Sequence, residues 1–157
     1  MADVVRIWIE TAHNLALRCG GWAYVAAVGG ALMGAAGGER TASAERMALA
    51  GLLEALKTAP GGASVEVTSA GPLVLGLAGR LAAFAAGEEP PADNLDLWAP
   101  LTVGLKQRTA RFVSAASAPG TPTAFAAAWA ELARDKAKAS GGFRAVIPKA
   151  NLAKLRV

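Results

Sequence analysis

One cysteine, one histidine and one tyrosine are all that the 157 residues hold of those three types. Cys19 alone cannot form an internal disulfide or a cysteine-cluster metal site, and the glycines after it make no reactive-thiol pattern, so a buried, inert side chain is expected. His13 has no second histidine or cysteine with which to share a metal, which leaves hydrogen bonding or an ion pair as its expected role. No Ser-His-Asp arrangement can be supported around it. Long hydrophobic runs are missing as well. Trp22 to Ala36 and Leu73 to Ala86 are interrupted by glycine or arginine and fall short of the ~20 residues that a bilayer span requires, so no membrane contact is expected. The stretch Met1 to Arg6 carries Asp3 and one basic residue, without the pattern of a secretory or transit leader, and the expected location is the cytoplasm.

What is present is alanine, about a quarter of the chain, which accounts for much of the 54% hydrophobic content with small side chains. The length suits a single core. The formal net charge is +4, and Arg144, Lys149, Lys154 and Arg156 are the only charges after Ser140. Without them 12 basic residues face 12 acidic ones, so the body is formally neutral and lacks the overall field that draws a protein to phosphate backbones. Residues 1–139 are expected to form the domain and 140–157 a basic tail with no clear period, hinged at Ser140-Gly141-Gly142. The tail could dock on its own domain, swap onto a neighbouring chain, contact phosphates or stay disordered.

Strands are expected over Val4 to Ile9, Gly21 to Val28 and Ala31 to Ala36, the last two joined at Gly29-Gly30, and again over Ser64 to Thr68 and Arg111 to Ala115. Helices are expected over Ser43 to Lys57, Pro72 to Phe84, Leu95 to Lys106 and Thr121 to Lys138, the first capped by Thr41 or Ser43. Trp8, Trp22, Trp98 and Trp129 fall at core-facing positions of these elements. The predicted order, β-β-β-α-β-α-α-β-α, requires a mixed sheet covered by helices on both faces.

Four local patterns in this order resemble the type 1 ribonuclease H family over residues 4–138. Ile7 to Ala12 (IWIETA) is similar to the family's first strand, which ends in a catalytic Asp. Thr41 to Lys57 is similar to its T-N-N-x-x-E helix, and Val65 to Val74 to the strand and turn bearing a T-D-S triplet. Asn94 to Trp98 (NLDLW) resembles the N-x-D-L-W that starts a late helix, and Ala130 to Arg134 (AELAR) the D-E-L-A-R of the last helix. The resemblance implies a ribonuclease H-like α/β fold with a five-stranded mixed sheet, three antiparallel strands followed by two parallel ones.

The same resemblance implies four carboxylates that hold two Mg ions. Matched residue by residue, the first falls on Glu10 and the second on Glu45, whereas the third falls on Ala70, the fourth on Ala130 and the family's loop histidine near Ala116. Two divalent ions about 4 Å apart repel by on the order of 15 kcal/mol at an effective dielectric of 20, a repulsion the carboxylates must cancel. Half of that ligand charge is gone, so no cofactor is expected, or at most a weakly held single Mg or Mn at Glu10 and Glu45 if nuclease activity persists. The plainer reading pairs Glu10 with His13 or a nearby Arg and leaves Glu45 in a first helical turn.

Phosphate-capable residues survive where the resemblance places the substrate groove: His13, Asn14, Arg18, Arg40, Thr41 and Ser43. Pro72 and Leu73 replace a polar pair, and acidic Gly87 to Asp93 stands where some members are basic. Lys106, Arg108 and Arg111 read as a solvated strand edge. The leading expectation is a catalytically inactive domain that binds RNA/DNA hybrid or duplex weakly through the old groove and the tail. The alternatives are a protein-interaction or self-associating module and a residual metal-dependent ribonuclease H.

Overall fold

The computed structural model describes residues 4–157, and the part of the leader reading that rests on residues 1–3 lies outside them. The chain folds as β1 (Val4–Asn14), β2 (Cys19–Val28), β3 (Ala31–Glu39), α1 (Ala44–Leu56), β4 (Ser64–Ser69), α2 (Pro72–Ala85), α3 (Leu95–Lys106), β5 (Thr109–Ser114), α4 (Pro122–Ser140), β6 (Phe143–Val146) and α5 (Lys149–Leu152). The strands lie in one sheet in the order β5-β4-β1-β2-β3-β6. β1, β2 and β3 are antiparallel neighbours, and β4 and β5 extend the other side of β1 in parallel.

Gly29 and Gly30, at φ +58° and +83°, make the two-residue turn between β2 and β3, a backbone that a side chain would strain. Ser43 rather than Thr41 caps α1, its hydroxyl accepting from the Arg46 amide at 3.0 Å. Val5, Ile7 and Ile9 of β1 bury against Met47, Leu49 and Leu52 of α1 and Trp98 of α3. On the opposite face, α4 sits close to the sheet because the contact is made of alanine and glycine. A Cβ on Gly21 would lie 2.4 Å from the Ala130 carbonyl oxygen. No described helix is long and apolar enough to cross a membrane.

Two expectations need correction. The first three strands are longer than predicted, since pairing of β1 with β2 continues from Arg6↔Ala27 to Asn14↔Cys19 and that of β2 with β3 reaches Gly20↔Glu39. Glu10 therefore lies within β1, two residues past Trp8↔Thr68, where its pairing with β4 stops. The sheet also has six strands rather than five. Phe143–Val146 pairs antiparallel with Ala35 to Gly38, and Ile147 and Leu152 bury with Trp8 and Val25. The alternation of Phe143, Ala145 and Ile147 is short and mixed with charge, which hides the strand in a sequence reading. Arg144, on the α1 side, donates to Glu54 at 2.8 Å. Among the four routes open to the tail, docking on its own domain is the one observed.

Candidate functional site

β1 and the β4–α2 turn position Glu10, and the first turn of α1 and the body of α2 position Glu45 with its partner. Glu10 is buried, and a single oxygen, Oε1, accepts from the Ser69 hydroxyl, the Ala70 amide at 3.0 Å and the Gly71 amide at 3.3 Å. Gly71 is the N-cap of α2 and has no side chain with which to cap it, so Glu10 supplies the negative charge that this helix start otherwise lacks. The expected pairing of Glu10 with His13 or an arginine is therefore replaced by a hydroxyl and two backbone amides. The geometry explains why, since Glu10 lies where β4 ends and its side chain meets the first free amides of the β4–α2 turn.

Glu45 sits in the first turn of α1, as expected, but it is not left to the helix dipole. Arg80 of α2 forms an ion pair with Oε1, and the Asn94 side-chain amide donates to Oε2 at 3.4 Å. The Arg80 guanidinium lies 4.4 Å from the centre of the Trp98 ring, held between a carboxylate and an aromatic face. Beside it, Arg46 donates to Glu39 at 2.9 Å, to Asn94 at 3.2 Å and to both oxygens of Asp96 at 2.9 and 3.1 Å. The hydrogen bond from Arg46 holds the Asp96 carboxyl below its ordinary range. The NLDLW segment thus works as a staple, Asn94 and Asp96 tying α3 to α1 while Trp98 fills the core.

The alanine positions differ in kind. Ala70 sits in the β4–α2 turn and offers only its backbone amide, to Glu10. Ala130 is fully buried against Ala23 and Ala36, in the close contact of α4 with the sheet, where a carboxylate would lose its water without a partner. Ala116 lies exposed in the loop after β5. Among the described residues no three His, Cys, Asp or Glu side chains are grouped to hold a metal.

All six expected nucleic-acid contacts fall on one rim. The β1–β2 turn carries His13, Asn14 and Arg18, and the β3–α1 connection carries Arg40, Thr41 and Ser43. The two segments are stitched together, the His13 ring N–H donating to the Ala42 carbonyl at 2.7 Å and the Ala42 amide donating to the Arg18 carbonyl at 2.8 Å. Asn14 closes its own turn by accepting from the Leu17 amide at 3.0 Å, and Ser43 is spent as a cap. Arg18, Arg40 and Thr41 are exposed. The tail is not part of this rim. Val157 lies beside Arg6, Gly29 and Gly30, at the other end of β1 and β2 and roughly 30 Å away along the strands.

Sequence reasoning missed Ser69 and Arg80. Arg80 had a usable signal, as the single charge in the apolar helix PLVLGLAGRLAAFA, a position that demands a partner.

The chain superimposes on LC9-RNase H1, a type 1 RNase H with the type 2 active-site motif, with a TM-score of 0.67 over 99% of this chain and 87% of that one. The fold is ribonuclease H-like. A second similar structure is the N-terminal RNase H domain of a Mycobacterium tuberculosis protein, solved as a fusion with maltose binding protein, with a TM-score of 0.59 over 87% of this chain and 97% of that one. The sequence identities are 13% and 18%, so the likeness is one of fold. No family model and no curated protein matches the chain.

The ribonuclease H-like fold brings with it the question of two divalent ions, and the residues present do not fit them. Glu10 already accepts three hydrogen bonds at one oxygen, and Glu45 already faces a guanidinium that would repel an arriving cation. Ala70 and Ala130, where the sequence resemblance puts two further carboxylates, carry methyl groups, which donate no lone pair.

Proposed function

We propose that this chain is a catalytically inactive ribonuclease H-like domain that binds nucleic acid weakly, as RNA/DNA hybrid or duplex, through the rim formed by the β1–β2 turn and the β3–α1 connection. The observation that supports the loss of catalysis is that the protein's own donors engage both carboxylates, Glu10 at Oε1 by Ser69 and two amides and Glu45 by Arg80. No hydrolytic step is assigned to any residue.

Binding rests on Arg18 and Arg40, two exposed guanidinium groups fixed on adjacent segments whose backbones are hydrogen-bonded to each other. Arg40 donates only to the Ala139 carbonyl, at 3.4 Å, and so retains its charge for a phosphate. With few cationic contacts and a formally neutral body, affinity is low and falls steeply with salt. Arg144 is withdrawn from this role by Glu54, and the tail runs on to Val157 at the opposite end of the sheet, so the rim acts without the tail.

The test is a native gel of labelled RNA/DNA hybrid with the full chain, run with Mg or Mn. A shift without cleavage supports the reading, and neutralising either Arg18 or Arg40 to Ala reduces the logarithmic salt slope by about 1. Metal-dependent cleavage that disappears in Glu10→Gln restores the nuclease reading. No shift at low salt and tens of micromolar protein removes nucleic acid as the partner.

A further inference from the structure

The two edges of the sheet are finished differently. β6 is four residues long and is followed at once by Pro148 and α5, which blunt that side. β5 is six residues long, contains no proline and pairs with β4 alone. The Thr109 and Ala115 amides at its two ends donate toward β4, to the carbonyls of Ala63 and Ser69. Amide direction alternates along a strand, so those of Ala110, Phe112 and Ser114 point out of the sheet.

Beside that row of donors lies a groove of about 530 Å³ between α2 and β5, lined by Ala78, Leu81, Ala82, Ala85, Leu105 and Phe112. The alanines on this face of α2 leave space that larger side chains would fill. The groove thus adjoins the free edge on the face where Phe112 packs, which is where alternate side chains of an added strand would fall.

The charges are of one sign. Lys106 and Arg108 line the groove and no carboxylate does. Arg108 spends its donors on the carbonyls of Ala59 and Gly104, and neither residue forms an ion pair among the described residues. Arg111, whose side chain is 74% exposed, pairs with Glu66 across β4.

We propose that β5 and this groove accept an extended segment of a partner protein, added as a seventh strand, with small or branched apolar residues facing α2 and carboxylates on the other face beside Arg111, continuing the row Arg6, Glu66, Arg111 across β1, β4 and β5. The inference does not rest on the nucleic-acid reading. A row of outward amides at strand spacing matches a peptide backbone, and the floor is apolar, which disfavours a phosphate chain. A second copy of this chain is disfavoured because its β5, Thr109–Ser114, offers an arginine and no carboxylate to Arg111.

The experiment uses the full chain, labelled with 15N, and a capped six-residue peptide of alternating Val and Glu, with alternating Val and Lys as control. At ten times its Kd the acidic peptide slows exchange of the Ala110, Phe112 and Ser114 amides about tenfold, following 1 + [L]/Kd. The Lys peptide leaves them unchanged. Ala82→Phe, at an exposed helix position, fills the groove and abolishes the protection while the spectrum stays folded, and Arg111→Glu weakens it. Absence of binding, protection elsewhere, protection that rises with protein concentration alone, or preferential protection by a single-stranded oligonucleotide each overturns the proposal.

Discussion

Glu10 and Glu45 stand at corresponding places of one fold, yet the protein neutralises them by different means. Glu10 is buried and held by neutral donors, a hydroxyl and two amides that the chain must place somewhere in any case. Glu45 is partly exposed and held by a full opposite charge, brought from α2 and steadied on Trp98. The first arrangement is a structural cap, costly to remove and indifferent to salt. The second is a surface ion pair, cheap to remove and sensitive to salt. A carboxylate can therefore be held in two ways, as part of the backbone's hydrogen bonding or against a resident cation.

The largest predicted effect breaks the first side of this comparison. Glu10→Ala leaves the buried Ser69 hydroxyl and the Ala70 amide without their acceptor, while the Gly71 amide keeps the Ser69 hydroxyl oxygen at 3.1 Å, and should lower unfolding stability by about 2 kcal/mol. Glu10→Gln keeps an acceptor oxygen and should lose about 1 kcal/mol. Urea unfolding of the two variants beside Glu45→Ala checks the contrast. Equal losses for Glu10→Ala and Glu45→Ala would erase the distinction between cap and ion pair.

The second prediction concerns Arg80. Its side chain is 43% exposed, so Arg80→Ala should lower stability by no more than about 1 kcal/mol, with the ion pair and the contact to Trp98 counted together. A double-mutant cycle with Glu45→Ala should show a coupling that shrinks in 1 M salt, at a Debye length of about 3 Å. Millimolar Mn should leave the melting midpoint of the parent chain unmoved. If metal raises that midpoint as much in the parent as in Arg80→Ala, Arg80 is not the cation that Glu45 needs.

Residue patterns revealed the architecture better than the site. Helical period and capping placed α1 and α4 to within a residue or two, because apolar residues and Ser43 or Thr121 mark those ends directly. β6 stayed hidden because its four residues gain their partner only through β3, a contact 105 or more positions back in the chain. Likewise the sequence identified Glu10 and Glu45 as residues to watch and Ala70 and Ala130 as vacancies, but not their partners. Ser69 and Arg80 reach them across 59 and 35 residues, distances over which no local spacing carries a signal. The burial of Ala130 between α4 and the sheet is a further consequence of tertiary packing, since only the close approach at Gly21 shows why a large polar side chain has no room there.

The smallest effect lies in two carboxylates outside the pair, and it sharpens the contrast between neutral and charged partners. Arg46 holds Asp96 below its ordinary range. At Glu54 burial pushes upward, but the hydrogen bonds from Lys57 and Arg144 outweigh it, and the carboxyl ends below the ordinary 4.5. A carboxyl lowered in the folded state stabilises fully above its unfolded value and loses that contribution as pH falls through the lowered one. The ties of α3 to α1 and of β6 to α1 should therefore persist down to about pH 4 and weaken below it. Unfolding midpoints measured from pH 7 to pH 3 should stay level and then drop, and Glu54→Gln should flatten part of the drop. Because Asp96 is more than half exposed and Arg144 is half exposed, the change is small beside the loss in Glu10→Ala. A drop that begins above pH 5 would assign the acid sensitivity to groups other than these two.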